Sequence, residues 1–209
     1  MKKIFIIAIS LCLFNSSCKK DVDVEDVQGC TDPTATNYDS NATQDDGSCT
    51  FYNPTCDGHP TINDLVPLID GAVWTYKQQS YNYTETINGT VTLGGETYYQ
   101  IDLVAFNGGS TGVKYLRVDS NGDVIERGNN TGNEVLYMPA NPTIGQSWSG
   151  LNSTTWEVTS LNASVTCQTC SYTGCVQITS PGIFAINRYY KSGIGFVKST
   201  DYSLVSVVF

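Results

Sequence analysis

Gly94-Gly95-Glu96-Thr97-Tyr98-Tyr99-Gln100-Ile101-Asp102-Leu103-Val104-Ala105 is the stretch that decides the fold. Tyr99, Ile101, Leu103 and Ala105 fall on one face of an extended run, with Gln100 and Asp102 on the other. A period of two marks a strand with one face against a core. Gly94-Gly95 ahead of it is a tight-turn pair, because both residues accept positive φ. The same texture continues outward. Trp74 and Tyr76 alternate with Val73 and Thr75, and Lys114, Leu116 and Val118 alternate with Val113, Tyr115 and Arg117. Turn signals recur at Asn88-Gly89, Asn107-Gly108-Gly109, Asn121-Gly122 and Gly193. Thr, Val and Tyr are abundant and no long helical period occurs. The expectation is an all-β domain over 61–209, an antiparallel sandwich or barrel-like sheet of about ten short strands. A short helical turn is expected near Asp64 to Leu68.

Toward the N-terminus the texture changes. Residues 52–60 hold Asn53, Pro54, Gly58 and Pro60 and read as a linker. Residues 30–51 read as a small module whose apolar residues are too few to build a core, so it needs a staple. Cys30 and Cys49 bracket it and are expected to pair. Cys56, Cys167, Cys170 and Cys175 then allow three connectivities, and a bridge from Cys56 to one of the later three is expected. An even count of cysteines in an exported chain reads as disulfides. Zinc at Cys56, His59, Cys167 and Cys170 is the competing reading of the same residues. No helix follows Cys167-Gln-Thr-Cys170 to depress a thiol pKa, which disfavours a thioredoxin-like role.

The module is rich in oxygen donors: Asp32, Asn37, Asp39, Asn41, Asp45 and Asp46. Calcium takes such ligands. Their spacing is not that of an EF-hand, and short Asx-turns account for the same residues. No cofactor is expected, with calcium at these residues the alternative.

Export is read from the first residues. Lys2 and Lys3 precede an apolar run from Ile4 to Phe14, then Ser16, Ser17 and Cys18. The run is too short to span a bilayer permanently. Residues 1–17 read as a signal peptide, with Cys18 as the lipidated mature N-terminus and 18–29 as an acidic tether. Loss of Lys2 and Lys3 leaves nine basic residues against twenty acidic ones, a formal charge of −11. That balance argues against nucleic acid, whose phosphates need Lys and Arg.

Three resemblances follow from these residues. Cys18-Lys19-Lys20-Asp21 resembles the start of Bacteroidetes-type lipoproteins. Cys30-Thr31-Asp32-Pro33, Ala35, Asn37-Tyr38, Asn41-Ala42 and Asp45-Asp46-Gly47-Ser48-Cys49 resemble a Cys-bracketed repeat of bacterial surface and secreted proteins. Val66-Pro67-Leu68, Gly71, Trp74-Thr75-Tyr76, Gly95-Glu96-Thr97-Tyr98-Tyr99, the Tyr115 to Val124 hairpin, Gly145-Gln146-Ser147-Trp148 and Tyr189 to Lys198 resemble a β-rich domain of such lipoproteins. The resemblance implies a gram-negative outer membrane, a lipid anchor, surface exposure and an all-β fold. It implies no catalytic residues.

No catalytic motif is present, and His59 is the only histidine. Glu85, Glu96, Asp102, Glu126, Glu134 and Glu157 lie in the β-domain, where a solvated strand face explains most such carboxylates. The expectation is a non-enzymatic envelope protein whose partners are the membrane, through its anchor, and either a glycan or another surface protein. An exposed aromatic row would favour glycan. The contact reading forbids a buried polar cleft with convergent carboxylates, since that is how an active site announces itself.

Overall fold

The computed structural model describes residues 26–79, 81–105, 111–129, 132–182 and 185–209 of the 209-residue chain. The signal-peptide reading of 1–17, Cys18, most of the tether and the Asn107-Gly108-Gly109 turn lie outside them. The chain divides into two compact units between Phe51 and Tyr52.

The first unit is almost without regular structure. Strands β1 (Gln28–Gly29) and β2 (Gln44–Asp45) pair in parallel, and Cys30 bridges to Tyr38. Cys30 and Cys49 form a disulfide with Cα atoms 4.8 Å apart, and Cys30 is fully buried.

The second unit begins with helix α1 (Pro54–Asp57). Then come β3 (Val73–Gln78), β4 (Tyr81–Leu93), β5 (Glu96–Ala105), β6 (Thr111–Val118), β7 (Val124–Arg127) and β8 (Glu134–Met138). They are followed by β9 (Ser147–Ser149), β10 (Thr155–Thr166), β11 (Ser171–Ser180), β12 (Ile186–Lys191), β13 (Gly195–Ser199) and β14 (Tyr202–Val208). The twelve strands form one antiparallel sheet in the order β8-β7-β6-β5-β4-β3-β14-β13-β12-β11-β10-β9. Two six-strand meanders thus join where the first and last strands, β3 and β14, pair side by side. The edge strands β8 and β9 approach each other, so the sheet is a nearly closed barrel. The all-β, barrel-like expectation holds, with twelve strands among the described residues.

Inward rows of alternating residues fill the barrel. Trp74, Tyr76, Ile87, Ile101, Leu116, Val124 and Met138 meet Val158, Ile178, Ile194, Val197 and Leu204 in one core. Trp74 Nε1 donates to the Ile194 carbonyl at 2.7 Å, and the Tyr76 hydroxyl to the Phe196 carbonyl at 3.0 Å. Aromatics can be buried there because their polar tips find partners.

Three expectations are corrected. Asn88-Gly89 is no hairpin turn: it lies within β4, where the pairing with β5 shifts register between Ile87 and Thr90. Gly89 at φ 70° makes a bulge, and its N–H donates to Asp70 Oδ1 at 2.7 Å. The conformation that closes a turn also bends a long strand. Second, no helix forms at Asp64 to Leu68, because Pro67 disfavours helical backbone at Val66. The helix lies at 54–57 instead, where the Asn53 side chain caps it and Pro54 occupies its first turn. Third, 52–60 is no free linker. Cys56 is bridged to Cys170, the buried Thr55 hydroxyl accepts from the Val207 N–H at 3.0 Å, and the Tyr172 hydroxyl donates to the Thr55 carbonyl at 2.6 Å.

Candidate functional site

The six oxygen donors of the first unit do not converge. Asp32 Oδ1 accepts the Thr34 N–H, Asp39 Oδ1 that of Asn41, Asp45 Oδ1 that of Gly47 and Asp46 Oδ1 that of Ser48, all between 2.8 and 3.1 Å. Each is an Asx-type turn two residues long. Asn37 spans the loop, donating to the Ser48 carbonyl and accepting from the Thr50 N–H. These bonds hold the Asp32 and Asp46 carboxyls below the usual range, through Thr34 and Ser48 respectively. Among the described residues no three His, Cys, Asp or Glu side chains are gathered to hold a metal. The calcium set is thus a set of turns. The zinc reading is displaced too, since Cys56 and Cys170 are spent on each other. His59 Nδ1 instead accepts the Thr61 and Ile62 N–H groups.

The expectation of three disulfides is met by two. Cys167 and Cys175 are buried free thiols. Once Cys170 joins Cys56, the ladder of β10 with β11 keeps them apart. Cys175 stands opposite Ala163, four residues before Cys167, while Cys167 sits at the Cys170 end of the hairpin. Burial pushes both thiols above their ordinary pKa.

The β-domain holds a different site. Along three strands the inward row changes from apolar to charged within two residues: Ile87 to Glu85 on β4, Leu116 to Lys114 on β6, and Val124 to Glu126 on β7. On β8 the register shift between Val124 and Ile125 leaves Tyr137 as the extra residue of a bulge. The opposite wall supplies Trp156 from β10, Arg188 and Tyr190 from β12, Phe196 and Ser199 from β13, and Tyr202 from β14. Together they enclose a cleft of about 400 Å³, whose lining is mostly polar. Beneath it lies a small recess of about 30 Å³ that shares Glu85, Lys114, Tyr137, Tyr190 and Phe196 with the cleft.

The cleft is held by its own contacts. Lys114 Nζ lies 3.0 Å from Glu85 Oε2, and both side chains are largely buried. The Tyr83 hydroxyl donates to Glu85 Oε1 at 3.4 Å, and Tyr190 to Tyr137 at 3.3 Å. The Arg188 guanidinium lies 4.4 Å from the centre of the Trp156 ring. Burial raises the Glu126 carboxyl above its ordinary pKa, and Lys114 and Arg188 only partly offset this. Burial also pushes the Tyr137 phenol up to about 12.

Of the six carboxylates considered, Glu85 and Glu126 enter the cleft, the arrangement that the contact reading forbids. Asp102 accepts from Asn88 and Gln100, and Glu134 pairs in a fork with Arg117 (2.7 and 2.8 Å). That fork holds Glu134 at about 2. Glu96 and Glu157 are exposed. The sequence reading missed Lys114, Arg188, Trp156 and Tyr137. The signal for Lys114 was its phase with Leu116. Many aromatic residues turn inward, but Tyr98 packs against Arg117 and Arg127 outside the core, and Tyr115 stands opposite Arg127; Tyr52 is the only fully exposed aromatic among the described residues of the second unit.

No family model and no curated relative matches the chain. Two solved structures are similar to it. One is a candidate lipoprotein of Parabacteroides distasonis ATCC 8503, 16% identical, with TM-score 0.40, over 70% of this chain and 96% of that one. The other is a candidate exported protein with a YmcC-like fold from Bacteroides fragilis NCTC 9343, 11% identical, with TM-score 0.41, over 70% of this chain and all of that one.

Proposed function

We propose that this chain is a lipid-anchored protein of the outer membrane, exposed at the cell surface, whose β-domain binds a small polar ligand, with glycan the favoured class, without transforming it. The observation that carries the binding reading is the cleft. Its volume lies within the range of roughly 300–1,000 Å³ typical of small-molecule sites. Its walls alternate aromatic rings with charged and hydroxyl groups, the pairing that sugars require: ring faces for C–H surfaces and hydrogen-bonding groups for hydroxyls. No row of fully exposed aromatics occurs among the described residues of the second unit, and the reading places glycan in the cleft. The anchor rests on the order of basic residues, apolar run, small residues and Cys18.

Binding is tested by calorimetry of the full-length protein with neutral and acidic mono- and disaccharides, against the variant Thr154→Trp. Thr154 is a modest side chain in the cleft wall, and an indole there should fill the site and abolish binding without changing the melting temperature. Binding that survives this variant would place the ligand elsewhere, and release of cleaved product would make the protein an enzyme. The anchor is tested separately: Cys18→Ser should move the protein from the detergent to the aqueous phase.

A further inference from the structure

We propose that the ligand in this cleft carries a single carboxylate held by Arg188, which makes an acidic saccharide its natural class; the inference rests on the binding reading of the same cleft. Arg188 sits on β12 between Ile186 and Tyr190, opposite Ile178 and Ser199 in the ladders. It is largely removed from solvent, yet among the described residues it is in no ion pair. The two ion pairs there are Lys114 with Glu85 and Arg117 with Glu134. Arg188 faces the phenols of Tyr190 and Tyr137 and, through space, the Glu126 carboxylate.

None of the Arg188 nitrogens is buried without a partner, so the donors that Tyr190 does not engage stay open to the cleft. Trp156 covers one face of the group. Stacking leaves the in-plane N–H edge, part of which bonds Tyr190, and the remaining N–H groups are of the kind that grip a carboxylate.

Charge sets how many negative charges the ligand brings. Lys114 is consumed by Glu85, so Arg188 is the one cation of the cleft without a carboxylate in contact, among the described residues. Glu126 and Asp201 also line the space. The lining formally carries Lys114 and Arg188 against Glu85, Glu126 and Asp201, so each negative charge on a ligand is opposed by the surplus acid, and a monoanion on Arg188 is opposed less than a dianion such as phosphate. The Glu126 carboxylate has no hydrogen-bond partner among the described residues and is not sealed off, so it is placed to accept ligand hydroxyls. A carboxylate beside several hydroxyls describes a uronic acid.

Saturation-transfer NMR on the full-length protein in detergent micelles tests this with D-galacturonate, its methyl ester, D-galactose and inorganic phosphate. The acid should bind at least about tenfold more tightly than ester or neutral sugar. Arg188→Gln should bring binding of the acid down to that of the ester, and Arg188→Lys should restore part of the difference. The acid-to-ester comparison needs only the wild type, so it stands if the variants do not fold. Equal binding of acid, ester and galactose overturns the carboxylate inference and leaves the cleft reading intact. Phosphate that displaces galacturonate at equal concentration overturns the assignment of a single negative charge. Absence of binding by every sugar overturns both readings.

Discussion

Glu126 shows how the cleft trades stability for chemistry. Its folded pKa lies above the ordinary 4.5, with burial as the main cause. The sign follows from linkage: a carboxyl whose pKa rises on folding contributes fully below the unfolded value, and that contribution is lost as pH rises through the folded value. Glu126→Gln should therefore raise the melting temperature at pH 7. The gain should shrink toward zero as pH falls below 4.5, where the wild-type carboxyl is already protonated. Thermal melts of both proteins from pH 3.5 to 8 would check this, and a gain independent of pH would contradict it. Glu134 behaves oppositely, since the Arg117 fork depresses its pKa to about 2. Its contribution is present above 4.5 and fades toward 2, and partial exposure keeps it small.

Among the elements, the β12–β13 turn and the cysteine hairpin make the sharpest claims. Gly193 stands at φ 75°, and a Cβ there would come within 2.8 Å of the Ile62 carbonyl oxygen. Gly193→Ala should cost about 1–3 kcal/mol in urea unfolding; an unchanged midpoint would show that the segment beside it yields freely. Cys56 and Cys170 close a separation of 114 residues, which the chain-entropy model values at about 4–5 kcal/mol. Cys167 and Cys175 should react with a thiol reagent only after denaturation without reductant. Rapid reaction in the native protein, or none in the denatured one, would refute the pairing. The strands themselves were legible, because period-two rows such as Tyr99 to Ala105 need no distant information. Gly89 was not, since positive φ serves a bulge as well as a turn. Residues 52–60 carry a linker's composition, and what binds them to the domain is a bond to a residue 114 positions away.

At the scale of the molecule, the cleft exists because the sheet curls until β8 and β9 approach each other. Before closure Glu85, Lys114, Glu126 and Arg188 are polar positions on separate strands, and no local pattern says that they meet. That is why a solvated strand face was the natural reading of the two acids in the sequence. The readable part was their phase: each shares a face with a core residue two places away, namely Ile87, Leu116, Val124 and Tyr190. A polar residue in phase with an apolar inward row marks either an edge exposed to water or an interior site, and only the closed sheet separates the two. The central claim is that the interior of this barrel is where a ligand binds. Amide chemical-shift mapping of the isotope-labelled protein during titration with D-galacturonate and D-galactose tests it most directly. Shifts clustered on β4, β6, β7 and β12 around Glu85, Lys114, Glu126 and Arg188 are the predicted result; shifts confined to residues 30–51 or to the outer face of the sheet, or no shifts at all, would contradict it.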